Sequence, residues 1–115
     1  MSVKIYHNPR CTKSRQTLQL LKDNGIEPEV IEYLKTPPSA DELADILVKL
    51  GMEPRGLMRK QEAEYKANAL DNRALDNQTL INGMVNHPIL IERPIVVANG
   101  KAAVGRPPEN VLGIL

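Results

Sequence analysis

Residues 3–25 read VKIYHNPRCTKSRQTLQLLKDNG, and this stretch decides the fold because it joins a short strand to a helix through a polar loop. Val3 to Tyr6 is typical of a strand, and the helical pattern that follows ends where Asn24-Gly25 supplies a stop. Glu29 to Tyr33 is a second strand candidate, and two parallel strands joined in this way need a right-handed crossover. The first third of the chain is therefore predicted to be a βαβ unit.

The middle of the chain is predicted to be helical. Ser39 and Glu42 match a capping box ahead of an apolar stripe at helical spacing, and Pro54 is well placed to open a short helix that carries Arg59. Residues 61–73 are polar and poorly periodic, which indicates a loop or a frayed helix. Asp76 is expected to cap a further helix, which ends near residue 87 because Pro88 disfavours helical geometry before it. These helices form an insert over about residues 39–87.

The C-terminal part changes to strand character. Residues 89–91 and 94–98 are apolar and β-branched, and Asn99-Gly100 is the strongest short hairpin signal available. A last helix is expected to open at Gly105-Arg106-Pro107-Pro108-Glu109. The order is βαβ, a helical insert, then ββα, which predicts one α/β domain over residues 1–115 with a mixed sheet.

Composition narrows the classes of function. The chain has 15 Lys and Arg against 14 Asp and Glu, and only 3% aromatic residues, so neither a basic field nor a stacking platform for nucleic acid is expected. No apolar run approaches the length that crosses a bilayer, and the N-terminus lacks a signal-peptide core, so we expect a cytoplasmic protein without a membrane partner. Two histidines and one cysteine, far apart in the sequence, give no metal signature.

The single cysteine, Cys11, has the surroundings of a reactive thiol. It lies where the first helix is expected to begin, and a helix N-terminus favours the thiolate. Arg10, Lys13 and Arg15 add positive charge, and His7 could withdraw the thiol proton or pair with the thiolate. A histidine at a strand end could equally be a structural residue. So many charged neighbours also predict that Cys11 lies at the surface rather than in the core.

Four motifs, taken together and in order, resemble those of the glutaredoxin-coupled arsenate reductases. They are HNPRCTKSR (residues 7–15), LMRK (57–60), HPILIERPIVV (87–97) and GRPPE (105–109). The chain stops at Leu115, soon after the last motif, so it is similar to a shorter branch of that family. The resemblance implies a thioredoxin-like fold with the helical insert between its βαβ and ββα halves.

The resemblance also implies site residues and chemistry. Cys11 falls at the position of the nucleophile, and Arg59, Arg93 and Arg106 fall at those of three oxyanion-binding arginines. Ser14 is counted with them as a substrate-binding residue and would donate a hydrogen bond to the thiolate. Arginine suits arsenate because its planar fork presents permanently charged donors. The peptide bond between Arg93 and Pro94 is expected to be cis.

By the same resemblance the reaction is arsenate reduction. The Cys11 thiolate attacks arsenic, glutathione then attacks the covalent adduct, and glutaredoxin resolves the mixed disulfide as arsenite is released. No bound cofactor is expected, and glutathione is a co-substrate. The cysteine count agrees, since a chain with one cysteine has no internal resolving thiol.

Two alternatives remain open at this point. A glutathione-dependent thiol oxidoreductase acting on another disulfide would use similar arginines for the carboxylates of glutathione. A non-catalytic regulator, like the Spx proteins that bind RNA polymerase, would share the fold, although those proteins commonly carry a Cys-x-x-Cys pair where this chain has Ser14.

Overall fold

The computed structural model describes residues 2–115, and the chain divides into two compact units. The first unit combines the N-terminal stretch up to Thr36 with Arg93–Leu115, and the second comprises Pro37–Glu92. The division separates the sheet from the helices of the middle of the chain.

A four-stranded sheet forms the centre of the first unit. Its elements are β1 (Val3–His7), α1 (Thr12–Asp23), β2 (Glu29–Glu32), β3 (Ile95–Ala98), β4 (Lys101–Val104) and a 3₁₀ helix at Pro108–Ile114. The strand order is β2-β1-β3-β4. β1 pairs with β2 in parallel and with β3 antiparallel, and β3 pairs antiparallel with β4. This is the predicted mixed sheet, with βαβ at one end of the chain and ββα at the other.

Aliphatic side chains hold α1 and the C-terminal 3₁₀ helix against this sheet. The buried cluster contains Val3, Ile5, Leu21, Val96, Ala98 and Val111. The chain returns from β3 to β4 through Asn99 and Gly100, whose φ angles of +55° and +72° are those of a tight two-residue hairpin turn. The turn brings β4, and Gly105 and Arg106 beyond it, back along β3.

The second unit is helical. It contains α2 (Ala40–Leu50), α3 (Pro54–Leu57), α4 (Ala63–Ala67), α5 (Asn77–Asn86) and a 3₁₀ helix at Pro88–Leu90. Ser39 accepts a hydrogen bond from the Glu42 amide at 3.1 Å, and Asp76 accepts one from the Thr79 amide at 2.8 Å, so both predicted N-caps are confirmed. α2 and α5 pack together and bury apolar side chains, among them Leu43, Leu47, Leu80 and Met84.

Two local predictions were wrong. Residues 89–91 lie in and just after a 3₁₀ helix rather than in a strand, because Pro88 opens a turn in which Leu90 donates to the carbonyl of His87. The short helix opened by Pro54 ends at Leu57, before Arg59. The predicted last helix is present at Pro108–Ile114, as a 3₁₀ helix. Within residues 2–115, no helix has both the length and the apolar content needed to cross a membrane.

Candidate active site

Cys11 is the N-cap residue of α1. Its backbone is extended, with φ −94° and ψ 123°, and its amide donates to the carbonyl of Asn8 at 3.0 Å while its own carbonyl accepts from the amide of Arg15 at 3.0 Å. The N-cap position places the sulfur beside the first amides of the helix, which have no carbonyl partner within the helix. This is the anion-favouring end of α1 that the sequence predicted.

Arg15 closes the loop that precedes the helix. Its guanidinium donates from Nη1 to the carbonyl of Pro9 at 2.9 Å and from Nη2 to the hydroxyl of Thr12 at 3.2 Å. Residues 8–11 are therefore held from both sides. The sequence identified Arg15 as a source of charge, and its role as a brace was not predicted because the pattern of residues does not give the direction of a side chain.

The predicted exposure of Cys11 was wrong. Its side chain is buried, with 8% relative exposure, although its sequence neighbours Arg10, Thr12 and Lys13 are all exposed. At an N-cap, successive side chains point in different directions, so the charged residues lie at the surface while the thiol turns inward. The prediction failed because it treated neighbours in sequence as neighbours in space.

The pKa of the Cys11 thiol is nevertheless lowered. Burial alone would raise it, but four groups that favour the thiolate act against burial: the Ser14 amide, the charge of Arg93, the Lys13 amide and the charge of Arg106. Together they outweigh desolvation and lower the pKa from its ordinary value. A larger fraction of Cys11 is thiolate at neutral pH than for a free cysteine.

Arg106 lies directly at the sulfur. Its Nη2 is 3.5 Å from the Cys11 Sγ, and its Nε donates to the carbonyl of Arg93 at 2.8 Å. The bond to Arg93 fixes the plane of the guanidinium while the other end of the fork points at the thiol. The peptide bond between Arg93 and Pro94 is cis, as predicted. Two of the three predicted arginines are thus placed around Cys11.

Gly105 sets the approach of this arginine, a packing role that the sequence did not predict. A Cβ built on Gly105 would lie 2.5 Å from Oγ1 of Thr17 and 2.8 Å from Cγ of Pro94, so only glycine fits. The Gly105 amide donates to the carbonyl of Pro94 at 2.9 Å, and Thr17 is fully buried on α1. The close packing of α1, Pro94 and Gly105 holds the backbone next to Arg106. The glycine immediately before Arg106 was the available signal.

Ser14 and His7 form a buried pair beneath the loop. The Ser14 Oγ lies 2.6 Å from Nδ1 of His7 and accepts a hydrogen bond from the Asn8 amide at 3.0 Å. The hydroxyl donates to Nδ1 when that nitrogen is unprotonated and accepts from it when it carries a proton, so the tautomer of His7 sets the direction of this bond. Among residues 2–115, the backbone N–H of Ser14, not its hydroxyl, is the group that reaches Cys11.

The environment of His7 favours the neutral form of its ring. Burial lowers the pKa of His7, and the positive charges of Arg15 and Lys22 lower it further, against the opposite effect of Glu32. No hydrogen bond joins His7 to Cys11 within the described part of the chain. The structure thus places His7 behind Cys11 through Ser14. Its assignment as a catalytic group, and that of Ser14 as a substrate ligand, stay predictions.

Arg59 lies in the helical unit. Its backbone amide donates to the carbonyl of Leu90 at 2.7 Å, next to an isolated antiparallel bridge between Met58 and Ile91. Its guanidinium pairs with Glu62 at 2.9 Å. A short extended segment, rather than the predicted helix, therefore carries this arginine, and its role as an oxyanion ligand stays a prediction.

The fold and the site define a class of protein: a thioredoxin-like chain with one cysteine of lowered pKa at a helix N-terminus and arginines beside the sulfur. The ArsC family model matches residues 6–114, and the chain belongs to the ArsC family. The predicted family and fold class are thereby confirmed.

Individual relatives match over nearly the whole chain. An uncharacterized protein of Escherichia coli strain K12, YfgD, is 60% identical and is matched over 98% of this chain and 96% of its own length. An arsenate reductase of Neisseria meningitidis serogroup A is 55% identical over 98% of this chain and 97% of its own. A solved structure of an arsenate reductase from Vibrio cholerae superposes with a TM-score of 0.97 at 54% identity, covering 100% of this chain and 98% of that one.

Proposed function

We propose that this protein is an arsenate reductase in which the Cys11 thiolate is the nucleophile. The observation that carries the proposal is the Arg106 guanidinium, which lies 3.5 Å from the Cys11 sulfur while the pKa of that thiol is lowered. A thiolate beside fixed positive charge attracts a tetrahedral oxyanion and attacks its central atom. The names of the relatives from Neisseria and Vibrio support arsenate as that oxyanion.

The proposed oxyanion ligands come from three arginines and from the start of α1. Arg93 and Arg106 act electrostatically at Cys11, and the amides of Lys13 and Ser14 reach the sulfur. Arg59 adds a donor of its own: its Nε is buried and, among residues 2–115, has no hydrogen-bond partner. A buried N–H of this kind gains a bond when a ligand oxygen reaches it. We propose Arg59 as the third oxyanion ligand on the strength of the family resemblance of its motif.

The proposed reaction consumes two thiols. The Cys11 thiolate forms an S–As bond, and an arsenate oxygen leaves as water after protonation. The glutathione thiolate then forms an S–S bond with Cys11, the S–As bond breaks, and its electron pair stays on arsenic, which is reduced from As(V) to As(III) and released as arsenite. The Cys11–glutathione disulfide is left, and a glutaredoxin thiolate attacks its glutathione sulfur and restores Cys11. Since glutathione and glutaredoxin belong to the reducing cytoplasm, we place the activity there.

The test is a coupled assay. Purified protein with arsenate, glutathione, glutaredoxin and glutathione reductase should consume NADPH, and Cys11→Ser should reduce the rate to that of the mixture without enzyme. Arg106→Gln should lower turnover strongly, whereas Arg73→Gln, an exposed arginine of the helical unit, should leave it unchanged.

A wild-type rate equal to that of Cys11→Ser would refute the proposal. Turnover of a glutathionylated substrate by the same preparation, with none on arsenate, would instead assign the protein as a thiol oxidoreductase acting on another substrate.

A further inference from the structure

A cavity of about 340 Å³ opens beside the loop that carries Cys11. One wall is formed by residues 7–10 and the other by Glu32, Leu34 and Lys35. His7 and Glu32 are register partners at the ends of the parallel strands β1 and β2, so the cavity lies at the carboxyl ends of both strands. Crevices at this edge of a parallel pair are common ligand sites, and the volume is within the range that binds small molecules.

The charges of the cavity describe its ligand. Arg10 and Lys35 contribute two positive charges and Glu32 one negative charge, while Leu34 offers an apolar surface that is 44% exposed. Lys35 and Glu32 lie 3.6 Å apart, and both side chains are largely exposed. An exposed ion pair of this kind contributes little stability, so each side chain can leave its partner and pair with a charged group of a ligand instead. A complementary ligand has two anionic groups and one cationic group, with a net charge of about −1.

The same wall that lines the cavity also positions Cys11. The carbonyl of Asn8 accepts the Cys11 amide at 3.0 Å, and the Asn8 side chain accepts the Arg10 amide at 3.0 Å. The cavity and the nucleophile thus share one tight turn. Cys11 directly follows Arg10, the last residue of this wall, so a peptide bound along the wall lies next to the loop that carries the sulfur.

We propose that this cavity binds the small thiol peptide that resolves the Cys11 adduct, a zwitterion with two carboxylates and one ammonium such as glutathione. Arg10 and Lys35 each take a carboxylate, Glu32 takes the ammonium, and Leu34 packs against the methylene groups between them. The reaction that the ligand completes rests on the proposed function, whereas its binding beside Cys11 does not.

The first experiment measures disulfide exchange without arsenate. The Cys11 thiolate attacks glutathione disulfide, a Cys11–glutathione disulfide forms and a glutathione thiolate leaves, which mass spectrometry follows on the single cysteine. Lys35→Glu and Arg10→Glu should each slow this exchange about fivefold or more, since each replaces attraction by repulsion. Hydroxyethyl disulfide, which is neutral, should react with the wild-type protein and with Lys35→Glu at rates within about twofold, because Lys35 lies outside the loop that carries Cys11 and the chemistry at the sulfur is retained.

Lys49→Glu is the matched control. Lys49 also forms an ion pair with a nearby carboxylate, Asp45, at 2.9 Å on α2, and its side chain is partly exposed, but it lies in the helical unit and outside the cavity. It should exchange with glutathione disulfide at the wild-type rate. Equal slowing by Lys49→Glu, or equal slowing of both disulfides by Lys35→Glu, would overturn the proposed site.

A second measurement needs no reaction. S-methylglutathione, which cannot form a disulfide, should shift the amide NMR signals of residues 8–10 and 32–35 in the wild-type protein, and Lys35→Glu should abolish those shifts. Shifts confined to other residues would overturn the site. If these signals respond as expected while arsenate gives no turnover, the proposed reductase activity fails and the thiol-peptide site stands.

Discussion

Replacing Arg106 by glutamine should raise the pKa of Cys11. The arginine Nη2 lies 3.5 Å from the sulfur, which is buried, but Arg106 itself is exposed, so water screens the pair from the arginine side. Two unit charges at that separation interact by about 1 kcal/mol at a dielectric constant of about 80, and by about 5 kcal/mol at an effective value of about 20. The exposed arginine favours the lower figure, which corresponds to a rise of about one pKa unit. Glutamine keeps a donor of similar length and removes the charge.

The pH dependence of alkylation by iodoacetamide reports this pKa, because only the thiolate reacts and the chain has one cysteine. Arg106→Lys should shift the pKa less than Arg106→Gln, since it keeps the charge and loses the fork. Arg73→Gln, at an exposed position of the helical unit, is the matched control and should not shift it.

Circular dichroism spectra should coincide for all four proteins, which separates a charge effect from a loss of structure. An unchanged pKa in Arg106→Gln, or the same shift in Arg73→Gln, would show that Arg106 does not stabilise the thiolate.

Three further outcomes follow from the structure. The pKa of Cys11 is lower in the folded protein than in the unfolded chain, so the thiolate stabilises the folded state at pH values above the ordinary thiol pKa. This stabilisation is lost as the pH falls through the folded pKa. In urea titrations, the unfolding free energy of the wild-type protein relative to Cys11→Ser should therefore rise with pH up to about 8.5. Gly105→Ala should cost about 1–3 kcal/mol in the same titrations, since its Cβ would lie 2.5 Å from Thr17; wild-type stability would contradict this packing. Arg55→Met should lower the unfolding free energy by about 2–4 kcal/mol, because Arg55 donates to the Tyr65 hydroxyl and to two carbonyls. The loss is measured as a fall in the thermal midpoint. A fall no larger than that of Arg73→Met would show that these bonds do not stabilise the fold.

Local signals in the sequence predicted most of the fold. The caps at Ser39 and Asp76 and the Asn99-Gly100 turn each depend on chemistry within a few residues, and each was confirmed. Residues 89–91 show the limit of this approach. A short apolar run has no decisive periodicity, and the bond from Leu90 to the carbonyl of His87 that makes it a 3₁₀ turn is not visible as a pattern.

The sequence predicted which residues belong to the candidate site but not how their side chains are arranged. The motifs pointed to Cys11, Arg93 and Arg106, and the structure brings these three residues of one unit together. Side-chain direction was the missing information. It decides that Cys11 is buried, and that Arg15 braces the loop. Neither fact follows from residue types or spacing.

The hydroxyl of Ser14 has a consequence for how this protein could change. A mutation to cysteine at that position would create the Cys-x-x-Cys pair of self-resolving thiol proteins in a single step. Ser14 is fully buried, and its oxygen joins Nδ1 of His7 to the Asn8 amide. A thiol is larger and a much weaker hydrogen-bond partner, so the substitution would loosen the loop that activates Cys11. The same substitution that would add a second thiol would therefore remove the hydrogen bond that organises the loop around the first.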